Sequence, residues 1–351
     1  MLTIALVFAT SLAAAPETAA GPVTVERRVA MMGTTADLAL VAADREKGLA
    51  ASEAVVEELS RVEALLTTWR PGGPLARLNA EPAGQALRLD AELFSVLSEV
   101  FAWSGRTEGA FDPTVAPLLR AWGLRSAGRI PSSKELAAAR HATGISRFQL
   151  DPSTGAAARL DPEAGIDEGA WGKGYALDCA SRHLESTGVR DALVDLGGQV
   201  LARGARSEGE PWTIAIAHPR DRQRAVVTFA IENGSVSTSG DSERRRIVHG
   251  RSIGHLLDPH TGEPAPDFGS ATVVAPSGLA ADVLSTAFFV LGPEKGLALS
   301  EKLRREGVPN EVLFLIDRGD DTLDAVTSPG ISPLVVSTDS RAVHGLPITH
   351  H

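Results

Sequence analysis

The chain has 351 residues, 43% hydrophobic and 22% charged, with a formal net charge of -10 at neutral pH. That is ordinary for a globular protein with a sizeable core. The acidic balance argues against general nucleic-acid binding, which needs basic surface to displace counterions, but it leaves room for a small anion held at one local site. One cysteine, Cys179, excludes an internal disulfide.

The run Leu2 to Ala15 is apolar, too short to span a bilayer comfortably, and ends in small residues, with no Lys or Arg before Arg27. It predicts an export signal over residues 1–20, cleaved around Ala15 to Ala20; the alternative is a frayed apolar tail. No Cys stands there to carry a lipid, and no later run is long and apolar enough for a membrane span. The expected address is periplasmic, for a soluble protein without a lipid anchor.

Next, "GPVTVERRVAMMGTTADLALVAAD" reads as strand, turn, strand. "REKGLAASEAVVEELSRVEALLTTW" places Leu49, Ala54, Val55, Leu59, Val62 and Leu66 at helical spacing. "DAELFSVLSEVFAWSGRT" reads as a second helix, capped by Asp90 and ending near Gly105. "GKGYALDCASRHLESTG" is a third, stopped by Gly188. "DALVDLGGQVLARG", "WTIAIAHPR", "AVVTFAIENGSVSTSG", "GHLLD" and "SATVVAP" read as strands. "AADVLSTAFFVLG" is a fourth helix and "EVLFLIDRG" a late strand. Mixed runs without a βαβ rhythm predict an α+β fold. The expected folded unit covers residues 21–328, followed by a peripheral tail over 329–351 in which His350 and His351 have no evident role.

Three places carry candidate chemistry. In "IDEGAWGKGYALD" (166–178), Gly169, Gly172 and Gly174 precede a helix and Lys173 adds a positive charge. Glycines let backbone approach a ligand, and a helix N-terminus offers free N–H groups to an anion; an ordinary strand-to-helix turn is the other reading. His255, in "GHLLDPHTGEP" after "STSGD", reads as a general base or ligand-binding group, or else a partly buried strand histidine. The nine histidines show no zinc-like spacing. Asp282 and Thr286 lie one helical turn apart among apolar residues. A buried carboxylate stays ionised when a cation sits against it. One carboxylate, one hydroxyl and a backbone carbonyl make a partial all-oxygen shell for Mg2+ or Ca2+. The alternative is an N-capping Asp, with Thr bonded back to its own helix.

Taken in order, "MMGTTADL", "TTWRPGGPLARLN", "GAFDPTVAPLLRAWG", "IDEGAWGKGYALD", "ALVDLGGQVLARG", "PWTIAIAHPR", "STSGDSERR", "GHLLDPHTGEP" and "AADVLSTAFFVLG" resemble the ApbE family of flavin transferases over roughly residues 29–316. The resemblance implies a compact α+β fold, T-fold-like, with flavin between its layers. It implies a Mg2+-dependent enzyme that binds FAD and moves FMN onto a Thr hydroxyl of an exported or membrane-bound electron-transfer protein, releasing AMP. Two alternatives are an FAD pyrophosphatase giving FMN and AMP, and a non-catalytic periplasmic FAD-binding protein. Residue by residue, the resemblance places Mg2+ at Asp282, Thr286 and the Ala170 carbonyl, with Ser285 assisting. Flavin contacts fall on Met32, Trp69, Ala110, Phe111, Asp112, Asp167, Lys173 and Leu256. His255 matches the family's catalytic histidine and ranks above Asp258 as base, and Lys173 stabilises charge on the phosphate bridge. The chain departs from the family's pattern at "PGGPLARLN", at "DEGAW" and at Trp171, where a smaller aliphatic residue is common.

Overall fold

The computed structural model describes residues 21–206, 209–241 and 246–346. The expected export signal and the two final histidines lie outside the described residues. β1 (Val23–Met31) and β2 (Thr34–Ala42) are joined by Met32 and Gly33, both at positive φ (49° and 70°). That is the two-residue loop whose twist matches paired strands. α1 (Arg45–Leu66) is capped by Asp44 and buries Val55, Leu59, Val62 and Leu66. α2 (Pro74–Ala80) and β3 (Ala86–Arg88) lead to α3 (Ala91–Arg106), where Asp90 accepts from the Leu93 N–H at 2.8 Å. Next come α4 (Ala116–Ala121), α5 (Ser133–His141), β4 (Phe148–Asp151) and β5 (Ala156–Arg159). α6 (Gly172–Thr187) ends on left-handed Gly188.

The rest is mostly strand. β6 (Asp191–Leu196) and β7 (Gln199–Arg203) form a hairpin. β8 (Trp212–His218), β9 (Asp221–Ile231), β10 (Gly234–Gly240), β11 (Arg246–Val248), β12 (Arg251–Ile253) and β13 (Gly269–Ala275) precede α7 (Gly278–Arg305). β14 (Glu311–Asp317), β15 (Leu323–Thr327), β16 (Val335–Thr338) and β17 (Val343–His344) close the chain.

Nine strands form one sheet in the order β1-β2-β6-β7-β10-β13-β14-β15-β17, antiparallel except for β15 with β17. β14 shows why its sequence is an unbroken apolar run. Val312 and Phe314 face a core shared with α1, α3, α6 and α7, while Leu313 and Leu315 face a second core. A strand covered on both faces does not alternate. The second core is closed by the three-stranded sheet β16-β9-β8, through Trp212, Ile214, Ile216 and Phe229. The architecture is α+β, as expected.

Three expectations are corrected. Residues 329–346 are not a peripheral tail: β16 pairs with β9, β17 pairs with β15, and Ile331, Ala342 and Val343 are buried in the second core. "GHLLD" is not a strand. Leu257 makes only an isolated bridge to Pro264, and the His255 N–H goes to the Asp241 carboxylate at 3.1 Å instead of a ladder. The fourth helix begins earlier, on a Ser277 cap, and continues past a kink at Gly292 (φ 76°), which precedes Pro293. Among the described residues no helix is long and apolar enough to cross a membrane.

Candidate active site

The site is built where the N-termini of α6 and α7 meet. A Cβ on Gly174 would lie 2.3 Å from the Gly278 carbonyl oxygen, and one on Gly278 would lie 2.4 Å from that of Gly174. Only glycine at both positions permits this approach. Each helix then supplies a carboxylate to the other's unpaired first-turn amides. Asp178 of α6 accepts from the Gly278 and Leu279 N–H groups at 2.5 and 3.0 Å. Asp282 of α7 accepts from the Gly174 N–H at 3.0 Å. Gly174 therefore serves helix packing. Asp282 does not cap its own helix, because Ser277 does.

Asp282 is 4% exposed. Burial pushes its carboxyl above the usual carboxylate range, while the Lys173 charge and the Gly174 N–H oppose that shift. With Thr286, Ala170 and Lys173 it lines a cavity of about 1150 Å³, at the upper end of small-molecule sites and ample for a dinucleotide. Among the described residues no three His, Cys, Asp or Glu side chains cluster as metal ligands. The donors present are one buried carboxylate with a single N–H partner, a hydroxyl and a carbonyl-bearing turn. That set fits a hard cation which keeps water or phosphate oxygens in its shell. Ser285 is buried and does not line the cavity as Asp282 and Thr286 do. Its hydroxyl lies 3.2 and 2.9 Å from the Ser237 and Ser239 hydroxyls and donates to the Asp282 carbonyl at 3.0 Å, fastening α7 to β10.

His255 lines the same cavity. Its buried Nδ1 lies 3.3 Å from Oδ1 of Asp241, a residue 2% exposed, but makes no hydrogen bond among the described residues. Asp241 accepts instead from the His255 backbone N–H at 3.1 Å, and Nε2 is the nitrogen left for the cavity. The Asp241 charge thus lies beside the imidazole while its hydrogen bond holds the backbone that carries it. Asp258 instead organises its own turn, accepting from the His260 N–H and the Thr261 hydroxyl.

The flavin-side residues also converge on the cavity: Met32, Trp69, Ala110, Phe111, Asp112, Asp167, Lys173 and Leu256 all line it. Met32 is placed by the β1–β2 turn, its N–H held by Glu63 at 3.1 Å. Trp69 is 63% exposed, with the Arg125 guanidinium 4.7 Å above its ring, at the cavity mouth. Phe111 is 1% exposed and acts mainly as core. Asp112 accepts from the Thr114 N–H and hydroxyl, and burial raises its pKa. Asp167 pairs with Arg125 and accepts from the Gly169 N–H. Trp171 turns away from the cavity, fully buried, and its indole N–H binds the Asp167 carbonyl at 2.8 Å.

Sequence reasoning missed several lining residues: Arg125, Arg222, Arg246, Asp195, Glu168 and Ser270. Arg125 joins the Thr68 carbonyl and hydroxyl to Asp167, 42 residues away from it in the chain. Asp195 lies near both Lys173 and Arg222, and burial raises its pKa. The Ser270 hydroxyl is buried without a partner among the described residues. Isolated arginines and serines give no local signal. Only Asp195, in the "DLGG" turn, and Glu168, in "IDEGAWGKGYALD", stood inside motifs quoted for the resemblance.

The sequence model of the ApbE family matches residues 32–309. The chain is 31% identical to the FAD:protein FMN transferase of Klebsiella pneumoniae over 296 residues, 82% of this chain and 83% of that protein. It is 30% identical to the Escherichia coli K12 protein of the same name, over 87% and 88% of the two chains. The fold superposes on the ApbE protein of Thermotoga maritima with a TM-score of 0.80 at 28% identity, covering 89% and 99% of the chains. With the apo flavinyl transferase ApbE of Pseudomonas stutzeri the TM-score is 0.77 at 30% identity, covering 89% and 97%. With motifs, fold and relatives in register over most of its length, the chain belongs to the ApbE family.

Proposed function

We propose that this enzyme, a flavin transferase of the FAD:protein FMN transferase kind, moves FMN from FAD to a threonine hydroxyl of a protein acceptor with Mg2+, releasing AMP. The observation that carries this reading is the buried, singly bonded Asp282 carboxylate beside Lys173, in a cavity large enough for FAD.

Asp282, Thr286 and the Ala170 carbonyl would hold the cation. When bound, it would withdraw charge from the phosphate bridge. Lys173 adds a fixed positive charge where negative charge grows as AMP departs, which favours the transition state over the ground state. A threonine hydroxyl is a weak nucleophile, and His255 Nε2, with the Asp241 carboxylate beside Nδ1, accepts its proton during attack. The new bond is a phosphoester to FMN; the bond broken is the pyrophosphate, and its oxygen leaves with AMP. Exposed Trp69 under Arg125 and Met32 offer apolar contact to a flat ring. The apolar Leu2–Ala15 run supports placing the reaction in the periplasm.

The test is incubation with FAD, Mg2+ and a flavin-free acceptor, followed by in-gel flavin fluorescence and AMP analysis. A covalently fluorescent acceptor with stoichiometric AMP is expected. Free FMN and AMP with an unlabelled acceptor would make the enzyme a pyrophosphatase, and bound but unchanged FAD would make it a carrier.

A further inference from the structure

β8 (Trp212–His218) is the edge of the three-stranded sheet β16-β9-β8 and, among the described residues, pairs only with β9. Every residue from Thr213 to Pro219 lines the large cavity. A cavity lying against one face of a strand touches alternate residues, because side chains alternate between faces. A consecutive run means that it follows the strand's unpaired edge. Thr213 and Ala215 are exposed while Ile214 and Ile216 anchor the strand in the core.

Natural sheets guard such edges with Lys, Pro, inward charges or bulges. Thr213–Ala217 contains no charged residue and no proline, and the register shifts fall only at its C-terminal end, around Ile216 to His218. That end leads toward the reacting groups. β9 begins at Asp221, and an added Cβ at Gly198 would lie 3.4 Å from the Arg222 guanidinium. Asp195 lies near both Arg222 and Lys173. The open edge and the charged end of the site are thus walls of one continuous cavity.

We propose that this edge is the docking strand for the protein acceptor. An extended acceptor segment adds to β8 as a fourth strand, held by main-chain hydrogen bonds, and carries its threonine past His218 toward Lys173. Small side chains at Thr213, Ala215 and Ala217 leave room for it. The inference rests on the transferase reading, because only a transferase needs a polypeptide beside its phosphate site.

The test follows hydrogen exchange of the 212–218 amides in the full protein, with three additions: FAD alone, a flavin-free acceptor alone, and both with Mg2+. The probe is the soluble domain of an exported electron-transfer protein that carries threonine-linked FMN. The acceptor alone is expected to slow exchange at β8 by about tenfold or more, with FAD alone having little effect. In the double variant Thr213→Lys/Ala215→Lys, the acceptor's KM is expected to rise about tenfold with kcat nearly kept, since edge lysines oppose strand addition. Labelled acceptor formed without protection at β8, or an unchanged KM, overturns the docking site while the transferase reading stands. Protection without labelling keeps the docking site and removes the transferase reading. Equal protection by FAD alone, or protection that grows with enzyme concentration alone, assigns the edge to flavin or to a second copy and overturns the proposal.

Discussion

Replacing Asp282 by Asn keeps the shape and one oxygen for the Gly174 N–H but removes the charge. In the flavin-free protein the carboxyl group is 4% exposed and, among the described residues, has one hydrogen bond, to an N–H at 3.0 Å. A buried charge so sparsely compensated costs several kcal/mol, so Asp282→Asn is expected to leave the metal-free fold as stable as the parent or about 1–3 kcal/mol more stable. Magnesium is expected to reverse the order. A cation at about 100 times its Kd adds about 2.7 kcal/mol to the parent, or roughly 5 °C in Tm at about 2 °C per kcal/mol for a large domain. The variant is expected to gain almost nothing. The assay is scanning calorimetry of both proteins with and without Mg2+, with ADP as pyrophosphate probe in every sample. Equal magnesium shifts in the two proteins would refute the assignment of the cation to this carboxylate.

Gly174→Ala would drive a methyl to 2.3 Å from the Gly278 carbonyl oxygen. The helices must part, at about 1–3 kcal/mol of stability, seen as a lower urea midpoint and a weaker magnesium response. His255→Gln is expected to slow transfer by roughly 10²–10⁴ through loss of the base, while flavin fluorescence quenching shows FAD still bound. Arg61 bonds Glu58 and Glu92, and its hydrogen bonds hold both carboxyls below the usual range. Folded pKa values below the unfolded ones mean stabilisation that is present above the ordinary carboxylate pKa and lost as pH falls through the depressed values. Arg61→Met should therefore destabilise near neutrality by about 1 kcal/mol or less, since the pairs are partly exposed. The difference should vanish in acid, as followed by denaturation midpoints from pH 7 to pH 3.

Much of the fold was legible because it rests on local chemistry. Asp90 capped the second helix as its position before an apolar run suggests, and α1 buried the residues its periodicity marked. That Asp282 and Thr286 line one cavity together could also be read, from their spacing of one helical turn. Other assignments failed for a physical reason. "GHLLD" has the residues of a strand, but its backbone is claimed by the buried Asp241 carboxylate. The segment after Ser328 has the composition of a tail, yet Ile331, Ala342 and Val343 fill a core whose other half comes from β8 and β9.

The amino-acid sequence alone determined the helices, most strands, the α+β class and, through motifs in order, the family resemblance, because these depend on periodicity, caps and short-range spacing. Tertiary structure decided which groups share the cavity. Asp282 meets Gly174 across 108 residues, Asp178 meets Gly278 across 100, and Arg125 reaches back 57 residues to Thr68. Local preferences do not encode such pairings. They arise where packed helices and sheets bring distant backbone together, and here two facing glycines let the helix ends close on one another.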